Sequence, residues 1–472
     1  MGLPSPSARL RDFDTLRLRI LENVPAGPLS PTETADWLAR LPDARFAAIA
    51  LAAPRTRPLI QPRGGFARFA PQRDLSRALW DAGADFIPLT IDSHTRHNDY
   101  RTAQTLMERS EMEDQNLLNG YPLVNHGHRE SRHLYDTIEA PVSLRHGTPD
   151  ARLLVEVALA TGITEIEGGA LTYTLPYSRG YPLPRALANW QYCDRLAAEM
   201  STPERPIHRE SFGVLTATMV PPCIVAAIEL CELLLAAEQG VMSFAFSFGQ
   251  TGSLLQDLAL AKVLREAAHD YLTRFGFSDL RTHLVFHQWM GAFPADYDHA
   301  NALIATSAQT AAMVGADKII TKTKEEARGI PTIESNCEAV RLVRYTLDRQ
   351  MPNGLTECET VAAEADRIRL ETDAIMQAIF EQPQQAFWAS IAQAFSDGLI
   401  DVPFAPHESN ANRLVTQRGY SDGVYIVEPG ALPIPKHLLD EEQALAAAAG
   451  ERTNDPGSFK AMMRDINLMA AV

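Results

Sequence analysis

The chain has 472 residues, 46% apolar and 22% charged, enough for two or three domains or for one large barrel with extensions. A net charge of −16 argues against nucleic acid and against an anionic membrane surface as partners. The 5 cysteines include no Cys-x-x-Cys, so neither a zinc knuckle nor a disulfide framework is indicated. The N-terminal stretch has no apolar core, so no signal peptide is expected, and the location expected is cytoplasmic.

Residues 1–55 predict a helical extension, with Ser30-Pro31-Thr32-Glu33 as a capped helix start. From 56 to 350 short apolar runs alternate with longer amphipathic stretches such as Ser253–Phe275 and Ala300–Val314. The runs are Pro58–Gln61, Asp85–Thr90, Leu123–Asn125, Pro141–Leu144, Ile163–Ile166, Ser211–Leu215, Met242–Phe246, His283–Phe286 and Lys318–Thr321. Such alternation predicts an α/β protein with a parallel sheet and helices outside, a (β/α)₈ TIM-type barrel. Nine runs is one more than that barrel needs, and Leu123–Asn125 and Ser211–Leu215 carry the weakest pattern. No Gly-x-Gly-x-x-Gly follows a run, which disfavours a dinucleotide-binding sheet. The most apolar stretch, Cys223–Ala237, is interrupted by Glu229 and Glu232 and is too short to span a bilayer. Residues 351–472 predict an accessory region, with helices at Leu355–Phe380, Gln385–Phe395 and Leu438–Ala449 and connectors at Asp401–Asn412 and Gly423–Pro435.

The unusual polar residues fall where the runs end, which in a barrel is the active face. Arg63 follows the first run, Arg96 the second and Arg145-His146 the fourth. Asn125-His126-Gly127-His128 ends the third, Glu167 the fifth, and Lys322 to Glu326 follows the last. Guanidinium groups from Arg63, Arg96 and Arg145, converging on one mouth, would suit a substrate with two carboxylates. The bland alternative is that each pairs with a barrel acid. Glu167 either neutralises one of them or accepts from a substrate ammonium. Tyr173 and Tyr177 could donate to a carboxylate, although loop tyrosines usually pack. Asp92, His94, His126 and His128 have no recognised ligand spacing, so no metal is expected. Lys322 keeps a Schiff-base reading open.

Nine blocks occur in one order from Gln61: QPRGG, TIDSHTRHNDY, LLNGYPLVNHG, RHGTPD, EGGALTYTLPY, NWQYCDR, LLAAEQGV, VFHQWMGAFP and IITKTKEEARGIPT. Together they resemble the large (epsilon, or E) subunit of adenosylcobalamin-dependent glutamate mutase, or methylaspartate mutase. The resemblance implies a barrel that isomerises L-glutamate and (2S,3S)-3-methylaspartate by a radical route. It implies substrate binding by Arg63, Arg96, Arg145, His146, Glu167, Tyr173 and Tyr177, with Arg63, Arg96, Arg145 and Glu167 as the catalytic set. Gly65, Asn119, Pro176, Phe293, Lys322, Glu326 and Ile330 would meet the adenosylcobalamin. Proteins that ligate cobalt from below carry Asp-x-His-x-x-Gly. Here Asp92-Ser93-His94-Thr95-Arg96-His97 has His97 where the glycine is needed. A small cobalamin-binding S (sigma) subunit is therefore expected to supply the cobalt-ligating histidine, with a homodimer of this chain inside a heterotetramer. His94 and Gly64 depart from the family's tyrosine and alanine, which leaves room for a related amino or oxo diacid in a biosynthetic pathway. Two further readings are a Lys322 Schiff-base enzyme and an inactive barrel that serves as a binding subunit.

Overall fold

Eight short strands form one parallel sheet: β1 (Leu59–Gln61), β2 (Ile87–Thr90), β3 (Val142–Arg145), β4 (Glu165–Glu167), β5 (His208–Glu210), β6 (Ser243–Gly249), β7 (Arg281–His287) and β8 (Lys318–Ile320). The computed structural model describes residues 2–349, 358–448 and 458–470. Chain neighbours pair from β2 to β8, and β1 pairs with β8. The ladder is interrupted between β1 and β2. There Asp85 N–H and Phe86 N–H donate to Ile60 O (2.9 and 3.2 Å) and Thr90 N–H to Gly64 O (3.1 Å), so the barrel is nearly closed. Helices surround it, as the alternation predicts.

Two expected strands differ. Leu123–Asn125 opens a helix, Leu123–Arg132, and all three residues are buried. Three apolar positions cannot separate a strand from a buried helical turn. The fifth strand lies at His208–Glu210, ahead of the run Ser211–Leu215, which is loop with Leu215 at φ 52°. A His-Arg-Glu strand has no apolar signature, because its two inward side chains enter a polar interior.

That interior is organised around Lys318, which is fully buried. Its ammonium donates to Gln61 Oε1 (2.6 Å) and to Glu165, lies 2.5 Å from Glu210 Oε2, and sits 4.6 Å from the centre of the Phe86 ring. Ser143 Oγ donates to Glu165 Oε1 (3.1 Å), and His208 Nδ1 is 2.8 Å from Ser243 Oγ. These side chains fill the barrel below its mouth.

The N-terminal part is helical: Phe13–Leu21, Pro31–Arg40 and Ala47–Ala52. Ser30 caps the second helix by accepting from Glu33 N–H (3.3 Å), as its sequence predicts. Arg17 ties the first helix to the barrel through both Glu156 oxygens (2.8 and 3.0 Å). Towards the C-terminus, helix Glu359–Phe380 packs on Pro222–Gln239 and Leu254–Phe275. Helices Phe387–Asp397 and Lys436–Ala447 lie close to their expected positions. Residues 355–357 of one expected helix and Ala449 of another lie outside the described residues, as does the expected boundary at 350/351. The expected connector Gly423–Pro435 instead begins with strand β10 (Val424–Glu428), paired antiparallel with β9 (Val415–Arg418). No described helix is long and apolar enough to cross a membrane.

Candidate active site at the barrel mouth

Strand alternation sends Arg145, Glu167 and Glu210 inward from the ends of β3, β4 and β5. Arg145 Nη2 donates to Glu167 Oε1 (2.6 Å), and its Nη1 is 3.6 Å from Glu210 Oε1. Above them is a cavity of about 180 Å³ lined by Arg63, Thr90, Arg96, Arg145, His146, Glu167, Tyr173, Tyr177, Phe212, His287 and Met290. Every residue expected to bind substrate therefore faces one small space. A larger cleft of about 590 Å³ between residues 51–58 and 312–317 lies at the opposite end of the strands.

The three guanidinium groups arrive differently. Arg145 is rigid and buried. Arg96 ends the short helix Ser93–Arg96, which Asp92 caps by accepting from His94 and Thr95 N–H (2.9 and 3.0 Å). Its Nε donates to Ile91 O (2.6 Å), which fixes the stem and leaves the fork free. Arg63 lies in the loop after β1, 43% exposed, with Nη1 3.7 Å from Glu326 Oε2. The acidic chain has thus gathered cations at one point, each only partly matched by acid.

Burial pushes the Glu167 carboxyl up to about 7, against the pull of Arg145. Burial would also raise Glu210, but the Lys318 ammonium, with Glu165 and Arg145, holds it below the ordinary carboxylate range. Burial pushes Glu165 up to about 8, although the Lys318 ammonium opposes this. Glu167, Glu210 and His287 offer ligand atoms within 4.8 Å of one another, yet Arg145 faces both carboxylates and Lys318 lies against Glu210. A metal ion there would have to displace those cations.

His146 is neutral, because burial and then Arg96 hold its pKa well below the usual value. Its Nδ1 accepts from Thr148 N–H (3.2 Å), which puts the proton on Nε2, for which the described residues offer no well-aligned acceptor. A neutral N–H donor therefore faces the cavity. The ring stacks on Trp190 (5.8 Å, 7°), and Arg209 lies 4.7 Å over the same indole. Arg209 also bonds Asp194 Oδ1 (2.6 Å), Ile166 O (2.6 Å) and Gly168 O (2.9 Å), bracing the Glu167 turn from outside. At Gly168 φ is 117°, and an added Cβ would run into the Tyr173 and Trp190 rings. Tyr173 meets His146 edge-on (4.8 Å), and Tyr173 and Tyr177 both contact Phe212, forming an aromatic wall.

The expected cofactor residues separate into two groups. Lys322, Glu326 and Phe293 meet beside Arg63: Lys322 Nζ is 2.9 Å from Glu326 Oε2 and 5.3 Å from the Phe293 ring centre. Burial lowers the Lys322 pKa, although Glu326 opposes this. None of the seven lines the cavity, and Gly65, Asn119, Pro176 and Ile330 form no such cluster. Gly65 is required by the fold itself, since a Cβ would strike Thr90 O. Asn119 Oδ1 accepts from Ser93 N–H (2.9 Å), and Ile330 is 75% exposed. His126 uses both ring nitrogens internally, towards Glu130 (3.0 Å) and Ala67 O (3.0 Å).

A family model described as methylaspartate mutase E chain matches residues 41–472. The glutamate mutase epsilon subunit of Escherichia coli O157:H7 is 39% identical over 412 residues, 87% of this chain and 85% of that protein. The epsilon subunit of Treponema denticola is 37% identical over 433 residues, 91% and 89% of the two chains. That of Haloarcula marismortui is 39% identical over 417 residues, 88% and 84%. The chain belongs to the methylaspartate mutase E-chain family. It is thus a member of a mutase, or isomerase, family. Among solved structures, a glucosidase from Croceicoccus marinus aligns at a TM-score of 0.34 and 14% identity over 58% of this chain and 62% of that one, a likeness too slight to carry an argument.

Within this family member, sequence reasoning left out Glu210, Lys318, Phe212, Met290 and Thr90. Glu210 was hidden because the charged residues of its strand break the apolar signal, whereas Lys318 opens the run Lys318–Thr321 at the strand end away from the mouth. Phe212 and Met290 are apolar and carry no mark that separates a pocket wall from core. His287 and Met290 both fall just past the run His283–Phe286, and that position was the usable signal.

Proposed function

We propose that this chain is the catalytic subunit of an adenosylcobalamin-dependent glutamate mutase that interconverts L-glutamate and (2S,3S)-3-methylaspartate. One observation supports the reading most: three guanidinium groups, one buried carboxylate and one neutral imidazole N–H face a single cavity sized for a five-carbon amino diacid. Arg96, with its free fork, and Arg63, only loosely paired with Glu326, hold one carboxylate, and Arg145 with His146 Nε2–H takes the other. Glu167 accepts from the ammonium. Tyr173 and Phe212 keep water out, which protects reactive carbon centres.

The residues present fit the cofactor. The Lys322–Glu326 pair offers charge and hydrogen bonds to ribose hydroxyls, and the Phe293 face offers an apolar rest. When bound, adenosylcobalamin supplies homolytic carbon–cobalt chemistry at the mouth. No Asp-x-His-x-x-Gly occurs in the sequence, so a small S subunit holds the cobalt from below, and two copies of each chain form a heterotetramer. The epsilon naming of the relatives agrees with an enzyme of several subunits. Lys322 bonded to Glu326 is poorly placed for Schiff-base chemistry.

The test is incubation of the chain with an S subunit, adenosylcobalamin and L-glutamate. Accumulation of 3-methylaspartate, dependent on all three additions, is expected. Turnover that persists without cobalamin and is trapped by borohydride would sink the reading. Binding of diacids with no turnover of any would point to a binding subunit instead.

A further inference from the structure

Helix Pro222–Gln239 is apolar and buried along its whole length, yet it carries Glu229 and Glu232. One turn apart, they share a face towards the barrel mouth. Glu232 uses both oxygens. Oε1 accepts from Leu171 N–H (2.7 Å), Thr172 N–H (3.0 Å) and the Thr172 hydroxyl (3.3 Å), and Oε2 from Ala170 N–H (3.2 Å). These consecutive amides start the loop that bears Tyr173 and Tyr177. Gly169 is part of the seat, since a Cβ there would run into the Glu232 carboxylate. Thr172 Oγ1 in turn accepts from Phe212 N–H (3.4 Å), which links this loop to the one after β5.

Glu229 is bonded differently. Oε2 accepts from the Ser211 hydroxyl and from Ser247 N–H (2.7 Å), while Oε1 has no donor in reach among the described residues. Burial pushes both carboxyls up.

We propose that Glu232 is a positioning residue for the substrate pocket, requiring two accepting oxygens to hold the Ala170–Thr172 amides and so the Tyr173–Tyr177–Phe212 wall. Glu229 requires only one accepting oxygen. A carboxamide accepts at one end and donates at the other, so glutamine replaces Glu229 but sets N–H against N–H at Glu232. The inference rests on the diacid reading only for its kinetic consequence.

Hydrogen exchange on the full chain decides it. Glu232→Gln should speed exchange of the 170–172 amides by about 10- to 100-fold, the size of a lost charge-assisted bond, with the barrel strands still protected. Glu229→Gln should leave those amides as in the wild type. In the assay with S subunit and adenosylcobalamin, Glu232→Gln should raise KM for L-glutamate more than it lowers kcat. Unchanged exchange at 170–172 in Glu232→Gln overturns the proposal, as does equal acceleration across all strands. If wild-type chain turns over no L-glutamate, the function reading fails while the exchange result still decides this one.

Discussion

Two polar clusters lie one above the other in the barrel, built from the same groups and used in opposite ways. In the lower one Lys318 touches oxygens of Gln61, Glu165 and Glu210, so its charge is balanced by its own neighbours. In the upper one His146 Nε2, Glu167 Oε2 and Arg145 Nη1 are buried without a hydrogen-bond partner among the described residues, and the nearest acid to Arg63 among them is Glu326, 3.7 Å away. Leaving one buried polar group unmatched costs about 1–3 kcal/mol. The lower layer carries such groups as well, at Gln61 Nε2, Glu165 Oε2, Glu210 and His208 Nε2, but only the upper ones line the cavity at the mouth, where a ligand can offset the cost. The lower cluster maintains shape, and the upper one is arranged to receive.

The sharpest way to break this distinction is Lys318→Met. Leaving Glu210 and Glu165 without their cation should destabilise the fold by about 3–5 kcal/mol, read as a fall in the denaturant midpoint. A small change would mean that the lower layer is not a structural unit. Next is Arg145→Lys, which keeps the charge and loses the fork. Turnover of L-glutamate should drop about 100-fold with the far-UV spectrum and melting intact. Near-normal turnover would show that Arg145 belongs to the lower cluster alone.

A third measurement is the pH profile. Glu167 is held at about 7 in the folded chain against an ordinary 4.5, so the folded state binds that proton more tightly than the unfolded one. The group's contribution to stability is therefore fully present below about 4.5 and is lost as pH rises through about 7. Under the proposed function activity runs the other way, since a substrate ammonium would need the ionised carboxylate. Activity, read as kcat/KM, should climb about tenfold per pH unit up to about 7 and then level. Glu167→Gln should flatten both limbs. The smallest effect belongs to Tyr177, half-exposed at the rim. Tyr177→Phe should raise KM by about 3- to 10-fold, one hydrogen bond's worth, and leave kcat alone.

The same contrast explains what was legible in the sequence. The upper cluster was legible because Arg63, Arg96, Arg145 and Glu167 each stand just past an apolar run, so strand ends could be counted and charges read off them. The lower cluster was not. Glu210 is the last residue of a His-Arg-Glu strand, and without an apolar run the strand shifted in the reading to Ser211–Leu215. Leu123–Asn125 failed for the converse reason, as a buried helix turn has the same apolar spelling as a short strand. Gly127, at φ 76° and ψ 164°, kinks that helix and removes the long periodic stretch that would have marked it. The backbone carboxylate seats at Glu229 and Glu232 were visible only as interruptions, because a charge in an apolar helix does not say which loop it holds.

The layer around Lys318 also makes the pocket blind. Gln61, Glu165, His208 and Glu210 are buried and fill the bore from strand to strand, so nothing passes along the barrel axis. Substrate and product must share one doorway, the rim formed by Arg63, Tyr177, Lys322 and their neighbours. Traffic through a single doorway is serial: product has to clear before the next molecule arrives, and anything seated on the rim sets the tempo of both.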